Sequence, residues 1–215
     1  MLHRLRIACL SLVMIAAVPV AATRVDNFVL LDQQGDAHEL YYHQGAKSVS
    51  IMVQATDCDA HAADTARFQE LAETQAETGH QFFLLSPSLQ DDRSRLAAWA
   101  RENQIKTPIL DDETQLVGES LRARKSGEVI VLDPQTWSVT YRGGVASAKA
   151  AGDAVGSNQQ VARAQYTSCP IEFPQAADTQ HALISYSENI APILKAKCAI
   201  CHTEGGLGPW AMSNY

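Results

Sequence analysis

The sequence predicts an α/β protein in which a sheet carries helices on both faces. Two observations point there. From Val25 onward, short β-branched or apolar runs alternate with segments whose apolar residues recur at helical spacing. The alternation then ends in two strand-like runs joined by Asp133-Pro134, a hairpin pattern. Composition agrees, because 46% hydrophobic residues in a chain of 215 is a globular share, with room for one ordinary domain and a small second one.

Taken in order, Phe28–Leu31, the Gln33–Asp36 turn and a short apolar stretch at Leu40–Tyr42 predict an opening hairpin. Ser48–Val53 is a β-branched strand ending near Cys58, and the Ala-rich segment through Phe68 and Leu71 has helical spacing. Gln81–Leu85 reads as a buried strand, Asp91–Asn103 as a helix with Leu96 and Trp99 on one face, and Glu128–Leu132 as a strand paired with Ser138–Tyr141. Ala146–Ala164 is a weakly specified helix with loops. The expected organisation is a leader at 1–22, a sheet domain at 24–165, a proline-containing linker at 166–184 and a short third segment at 185–215. That segment carries a helix from about Asn189 to Cys198, where Pro192 is tolerated in the first turn.

The first residues have the form of an export signal: basic His3, Arg4 and Arg6, an apolar run from Ile7 to Val20, then Ala21 and Ala22. The run is shorter than the roughly 20 residues a spanning helix needs, so cleavage after Ala22 is expected rather than a membrane tether. Cys9 leaves with it, and the mature chain has no expected membrane span. Export to the periplasm or beyond puts Cys58, Cys169, Cys198 and Cys201 where disulfides are permitted. A formal charge of -7 argues against nucleic-acid binding.

Cys198-Ala-Ile-Cys201-His202 is a C-x-x-C-H motif. Two cysteines at that spacing reach the two vinyl groups of one porphyrin, and the histidine that follows is placed to ligate the iron, which makes covalent haem c the expected cofactor. With five Cys and seven His, chance would give the pattern about 0.4% of the time. Zinc would need a second ligand pair, a dithiol site would need the motif to open a helix after a core strand, and a local disulfide leaves His202 unused. Ile190, Ile193 and Leu194 give the preceding helix an apolar face for the porphyrin edge. Met212 is the candidate sixth ligand, although it lies only ten residues beyond His202. The residues from Thr203 to Tyr215 are too few to wall a haem, so a longer parent chain is expected.

Cys58 follows a strand and precedes a helix, where N–H groups favour a thiolate, while Asp57 and Asp59 oppose it. Three residues on stands His61, a potential partner for the thiolate or co-ligand of a metal, in place of a second cysteine. Cys58 and Cys169 are also able to bond to each other in an oxidising compartment.

These residues resemble a known combination: a redoxin domain of the thioredoxin-like, peroxiredoxin-like branch joined to the start of a c-type cytochrome. The likeness rests on Phe28–Gly35, the strand leading to Cys58, Pro108–Asp112, Glu128–Pro134 and Tyr141–Gly143, then on Asn189–Leu194, Cys198–His202 and Gly205–Trp210. It implies a thioredoxin-like sheet followed by a truncated cytochrome c segment, as at the front of bacterial copper, ascorbate-dependent monooxygenase-like proteins. The peroxidase pattern P-x-x-x-T-x-x-C is absent, since Ile51 and Ala55 occupy its Pro and Thr positions, and Gly127 replaces the proline that faces the cysteine in that fold. The leading expectation is an exported electron carrier with covalent haem and a redox partner protein. The alternatives are a thiol–disulfide or peroxide oxidoreductase using Cys58 and His61, and a noncatalytic module of a larger oxygenase.

Overall fold

A computed structural model describes residues 24–75, 77–157, 159–174, 190–199, 201–208 and 210–211. The expected leader and Met212 lie outside them.

The chain opens with a short antiparallel hairpin, β1 (Val29–Leu31) and β2 (Ala37–Glu39). The second strand precedes the stretch expected for it. Leu40–Gly45 is instead a 3-10 turn: the Leu40 N–H bonds the Phe28 carbonyl at 3.0 Å, and its side chain is buried. Next come β3 (Ser48–Val53), α1 (Ala62–Gln75), β4 (His80–Ser86), α2 (Arg93–Glu102), β5 (Ile109–Asp111), α3 (Leu116–Ser120), β6 (Val129–Asp133), β7 (Ser138–Gly143) and α4 (Ala148–Asp153). A separate short helix, α5, spans Ala191–Lys197.

The main sheet has the order β5-β4-β3-β6-β7. β3, β4 and β5 run parallel, and β6 and β7 turn back antiparallel. All of β3 is buried, Ser48 and Ser50 included, as befits a strand covered on both faces. Ile51 and Val53 enter the cluster holding Leu85, Leu110 and Leu132, while Met52 points the other way, toward Phe68, Leu84 and Leu96. At the two rims the leading segment bridges the sheet, Asp32 to Leu110 of β5 and Arg24 to Ser138 of β7. Among the described residues no helix is long and apolar enough to cross a membrane.

Asp112 stands between β5 and α3 and is fully buried. Its Oδ2 accepts the Gly118 N–H at 2.6 Å and its Oδ1 the Val117 N–H at 3.3 Å. Desolvation outweighs these bonds and raises its pKa from 3.8 to about 6. The folded chain therefore keeps a proton here between about pH 4 and 6 that the unfolded chain has released. The cost of the buried charge, on the order of 3 kcal/mol at pH 7, disappears as pH falls through 6. Asp112→Asn removes this dependence. In urea melts at pH 7 and pH 4.5, the parent gains relative to that variant at the lower pH. Equal differences at both values would contradict it.

Residues 166–174, expected to belong to a linker, run along the sheet domain instead. Ile171 and Phe173 are buried in the same cluster as Ile51, and Pro170 forms an antiparallel bridge with Lys125. The apolar pair is spaced by two, so both side chains reach one face of an extended segment.

Candidate redox site

β3, the central strand, carries the chain to one end of the sheet, and the turn after it places Cys58 as the residue that caps a 3-10 turn, Asp59–His61, leading into α1. The turn is fixed from α2's side. Asp91, almost fully buried, accepts the Thr56 N–H at 3.1 Å, the Thr56 hydroxyl and the Ser86 hydroxyl. Arg95 bonds Thr56 Oγ1 at 2.7 Å and lies 3.5 Å from Asp91. Sequence reasoning missed this cluster. Its signal was the i,i+4 spacing of Asp91 and Arg95.

Cys58 is bonded to Cys169, with Cα atoms 6.0 Å apart across 111 residues of sequence. In this oxidised state Cys58 offers neither a nucleophile nor a metal ligand. Cys58 is buried and Cys169 is partly exposed. The strand-like strap around Cys169 is stitched to the domain. Ser126 N–H donates to the Cys169 carbonyl at 2.9 Å, Cys169 N–H to Ser126 Oγ at 3.0 Å, and Ile171 N–H to the Arg124 carbonyl at 2.9 Å. Gly127 lies beneath it with φ +80°, and a Cβ there would stand 2.4 Å from the Thr167 carbonyl oxygen. A cleft of about 240 Å³ opens beside the bond, between Ala55–Asp57 and Pro170–Glu172, with Leu89 on its rim.

His61 is buried behind Cys58. Its Nδ1 is 3.1 Å from Thr65 Oγ1, a hydroxyl that also lies 3.2 Å from Gln54 Oε1 and 3.3 Å from the His61 carbonyl. Its Nε2 is buried with no hydrogen-bond partner among the described residues. Burial lowers the His61 pKa, against the pull of Asp64, Asp57 and Asp59. Among the described residues no group of three His, Cys, Asp or Glu is placed to hold a metal ion, so the metal role weighed for Cys58 and His61 has no further ligand there.

The second motif lies on the segment that begins with α5. Cys198 caps the helix, and the Cys201 and His202 N–H groups both bond the Cys198 carbonyl, at 3.1 and 3.0 Å. Both thiols are free, Cys198 partly buried and Cys201 exposed. His202 Nδ1 donates to the Trp210 carbonyl at 3.0 Å and its ring lies 4.4 Å from the Trp210 ring. A Cβ on Gly208 would stand 2.6 Å from His202 Nδ1. This donor set fits a covalent haem. The bond to Trp210 fixes the tautomer and leaves Nε2 free, as an iron-ligating imidazole requires.

A mixed sheet of this order, with a cysteine between its central strand and the next helix, defines a thioredoxin-like redoxin domain. Residues 21–148 match the AhpC/TSA family, and the chain belongs to it. A hypothetical protein of Sinorhizobium meliloti 1021 has a similar fold, with a TM-score of 0.62, 19% identity, and 73% of this chain and 96% of that one covered. An uncharacterized conserved protein of Geobacillus kaustophilus gives 0.63, 19%, 73% and 94%. The peroxidoxin BcpB of Mycobacterium tuberculosis gives 0.52, 19%, 65% and 97%. These likenesses show the fold. No curated protein matches the chain. The family match ends at residue 148 and leaves the C-x-x-C-H segment outside it.

Proposed function

We propose that the chain is a thiol–disulfide oxidoreductase in which Cys58 and Cys169 form one reversible dithiol/disulfide pair. The carrying observation is the bond itself, which joins the cysteine after the central strand of a redoxin domain to a half-exposed cysteine on a surface strap. Acting as reductant, the Cys58 thiolate attacks a partner disulfide and one partner sulfur leaves as thiolate. The Cys169 thiolate then attacks the Cys58 sulfur, the second partner sulfur leaves, and the Cys58–Cys169 bond closes. Two electrons pass to the partner, whose two thiolates take protons from water. This supports the thiol reading over haem electron transfer as the activity of the sheet domain, and the missing Pro and Thr of the peroxidase pattern favour disulfides over peroxides.

Titration in glutathione buffers tests it. Equilibration of the Cys58–Cys169 pair at about -180 to -270 mV is expected, whereas a value below about -300 mV would mark a structural crosslink and defeat the proposal. Cys58→Ser should abolish catalysed reduction of a model disulfide.

A second reading is favoured by the His202–Trp210 bond: the terminal segment holds covalent haem c through Cys198 and Cys201, with His202 Nε2 as axial ligand. Bound there, the haem would supply one-electron chemistry. Ile193, Leu207 and Trp210 are exposed beside the motif, an apolar surface suited to a porphyrin. The leader expected at 1–22 would provide the oxidising, haem-attaching compartment that both readings need. Exported with a haem-attachment system, the full chain should show covalent haem in a denaturing gel and Cys201→Ala should reduce the stain. An unstained parent would end this reading.

A further inference from the structure

The strap that carries Cys169 behaves as a bound peptide. It runs antiparallel to residues 124–126 and satisfies their backbone groups: Ser126 N–H and Arg124 C=O each find a partner on it, at 2.9 Å. It presses on Gly127, a position with no room for a side chain, and presents a sulfur to Cys58. Each of these features is what an extended polypeptide with a cysteine would meet on docking against the loop before β6: main-chain bonds for affinity and one side chain for specificity. Ala164, bonded to Gly144 N–H at 2.8 Å, and the buried Ile171 and Phe173 anchor the strap on either side of Cys169. Loss of the disulfide would therefore free the span between these anchors without releasing its ends.

We infer that residues 165–170 are an intramolecular stand-in for substrate, and that the substrate is an extended, cysteine-bearing polypeptide that pairs with the loop at Ser126 after reduction has released the strap. This rests on the redox reading of Cys58. In the mixed disulfide the partner's sulfur takes the place of Cys169 on Cys58. The oxidised state is then self-occluded: the groove closes when the chain has spent its electrons and reopens when Cys169 is reduced.

Two measurements on the full chain test this. In hydrogen exchange, reduction should lower protection of the Ser126 and Cys169 amides by at least about tenfold, while Ile51 and Val131 in the central strands keep theirs. Unchanged protection would overturn the proposal. The second uses Cys169→Ser and a synthetic peptide copying residues 164–174, its cysteine activated as a thionitrobenzoate disulfide. Cys58 attacks the peptide sulfur and thionitrobenzoate leaves, and digestion with mass spectrometry locates the adduct apart from Cys198 and Cys201. The copied sequence should modify Cys58 about tenfold faster than a scrambled peptide with the same cysteine, a preference worth about 1.4 kcal/mol. Ile171→Ala, which loosens the strap, should raise the rate further. Equal rates for the two peptides would overturn the substrate assignment alone. A Cys58 unreactive even to free dithiobis(nitrobenzoate), the symmetric small aromatic disulfide used as control, would instead overturn the redox reading beneath it.

Discussion

Replacing Cys169 by Ala is expected to lower the midpoint of thermal unfolding by roughly 10–20 °C while leaving the sheet intact. The Cys58–Cys169 bond closes a loop of 111 residues. In the chain-entropy account, a crosslink of that span restricts the unfolded ensemble by about 4–5 kcal/mol. For a domain of this size each kcal/mol moves the midpoint by about 2–4 °C. The native side of the balance is buffered, because Ile171, Phe173 and the Gln115 bond to the Glu172 carbonyl at 2.7 Å hold the strap without the sulfur. Calorimetry of parent and variant, each with and without reductant, is the check. The parent should fall to the variant's midpoint when reduced, and the variant should not respond. A reduced parent that melts with the oxidised one would show that the bond adds nothing to the fold.

The second large effect is expected at Gly127. Ala there must hold φ near +80°, which costs a residue with a Cβ about 1–2 kcal/mol. It must also place that Cβ 2.4 Å from the Thr167 carbonyl oxygen and 3.2 Å from the His61 Cβ. The carbonyl belongs to backbone and has no rotamer to escape into, so the strap has to lift. A total loss of about 2–4 kcal/mol is expected, read as a lower urea midpoint at unchanged slope. The redox signature is more telling. With Thr167 displaced, Cys169 meets Cys58 less often, and the reduced variant should re-form its disulfide several-fold more slowly than the parent. A variant as stable and as quick to oxidise as the parent would remove Gly127 from its place as the floor of the strap.

Gly127 also shows how far the sequence could be read. The strands that bury both faces were legible, since Ile51–Val53 and Val129–Leu132 are continuous apolar runs of the kind a covered sheet holds. The resemblance marked Gly127 as the loss of a proline, yet its neighbours reveal a requirement for glycine set by Thr167, forty residues away. No local pattern carries such a demand. β5 and α3 escape the sequence pattern because they have three and five residues, too few for either period to register. α3 depends on the buried Asp112 carboxylate for its start. The strap has the sequence of a linker, since two prolines and few apolar residues normally mean solvent, whereas Ile171 and Phe173 are enough to seat it. Of the candidate site, Cys58, His61, Cys169 and the C-x-x-C-H residues could be named from the sequence. The pairing of the first and third was left open, and the Asp91–Arg95 brace went unseen.

The two bridges that the leading segment makes, Asp32 with Leu110 and Arg24 with Ser138, bear on how the molecule behaves in a crowd. An uncovered outer strand offers free N–H and C=O groups to the next molecule's strand, and molecules can add to one another through it without limit. Here one stretch of chain, between Arg24 and Asp36, blunts both outer strands. Trimming it would uncover both outer strands and leave them open to pairing with the sheet of another copy.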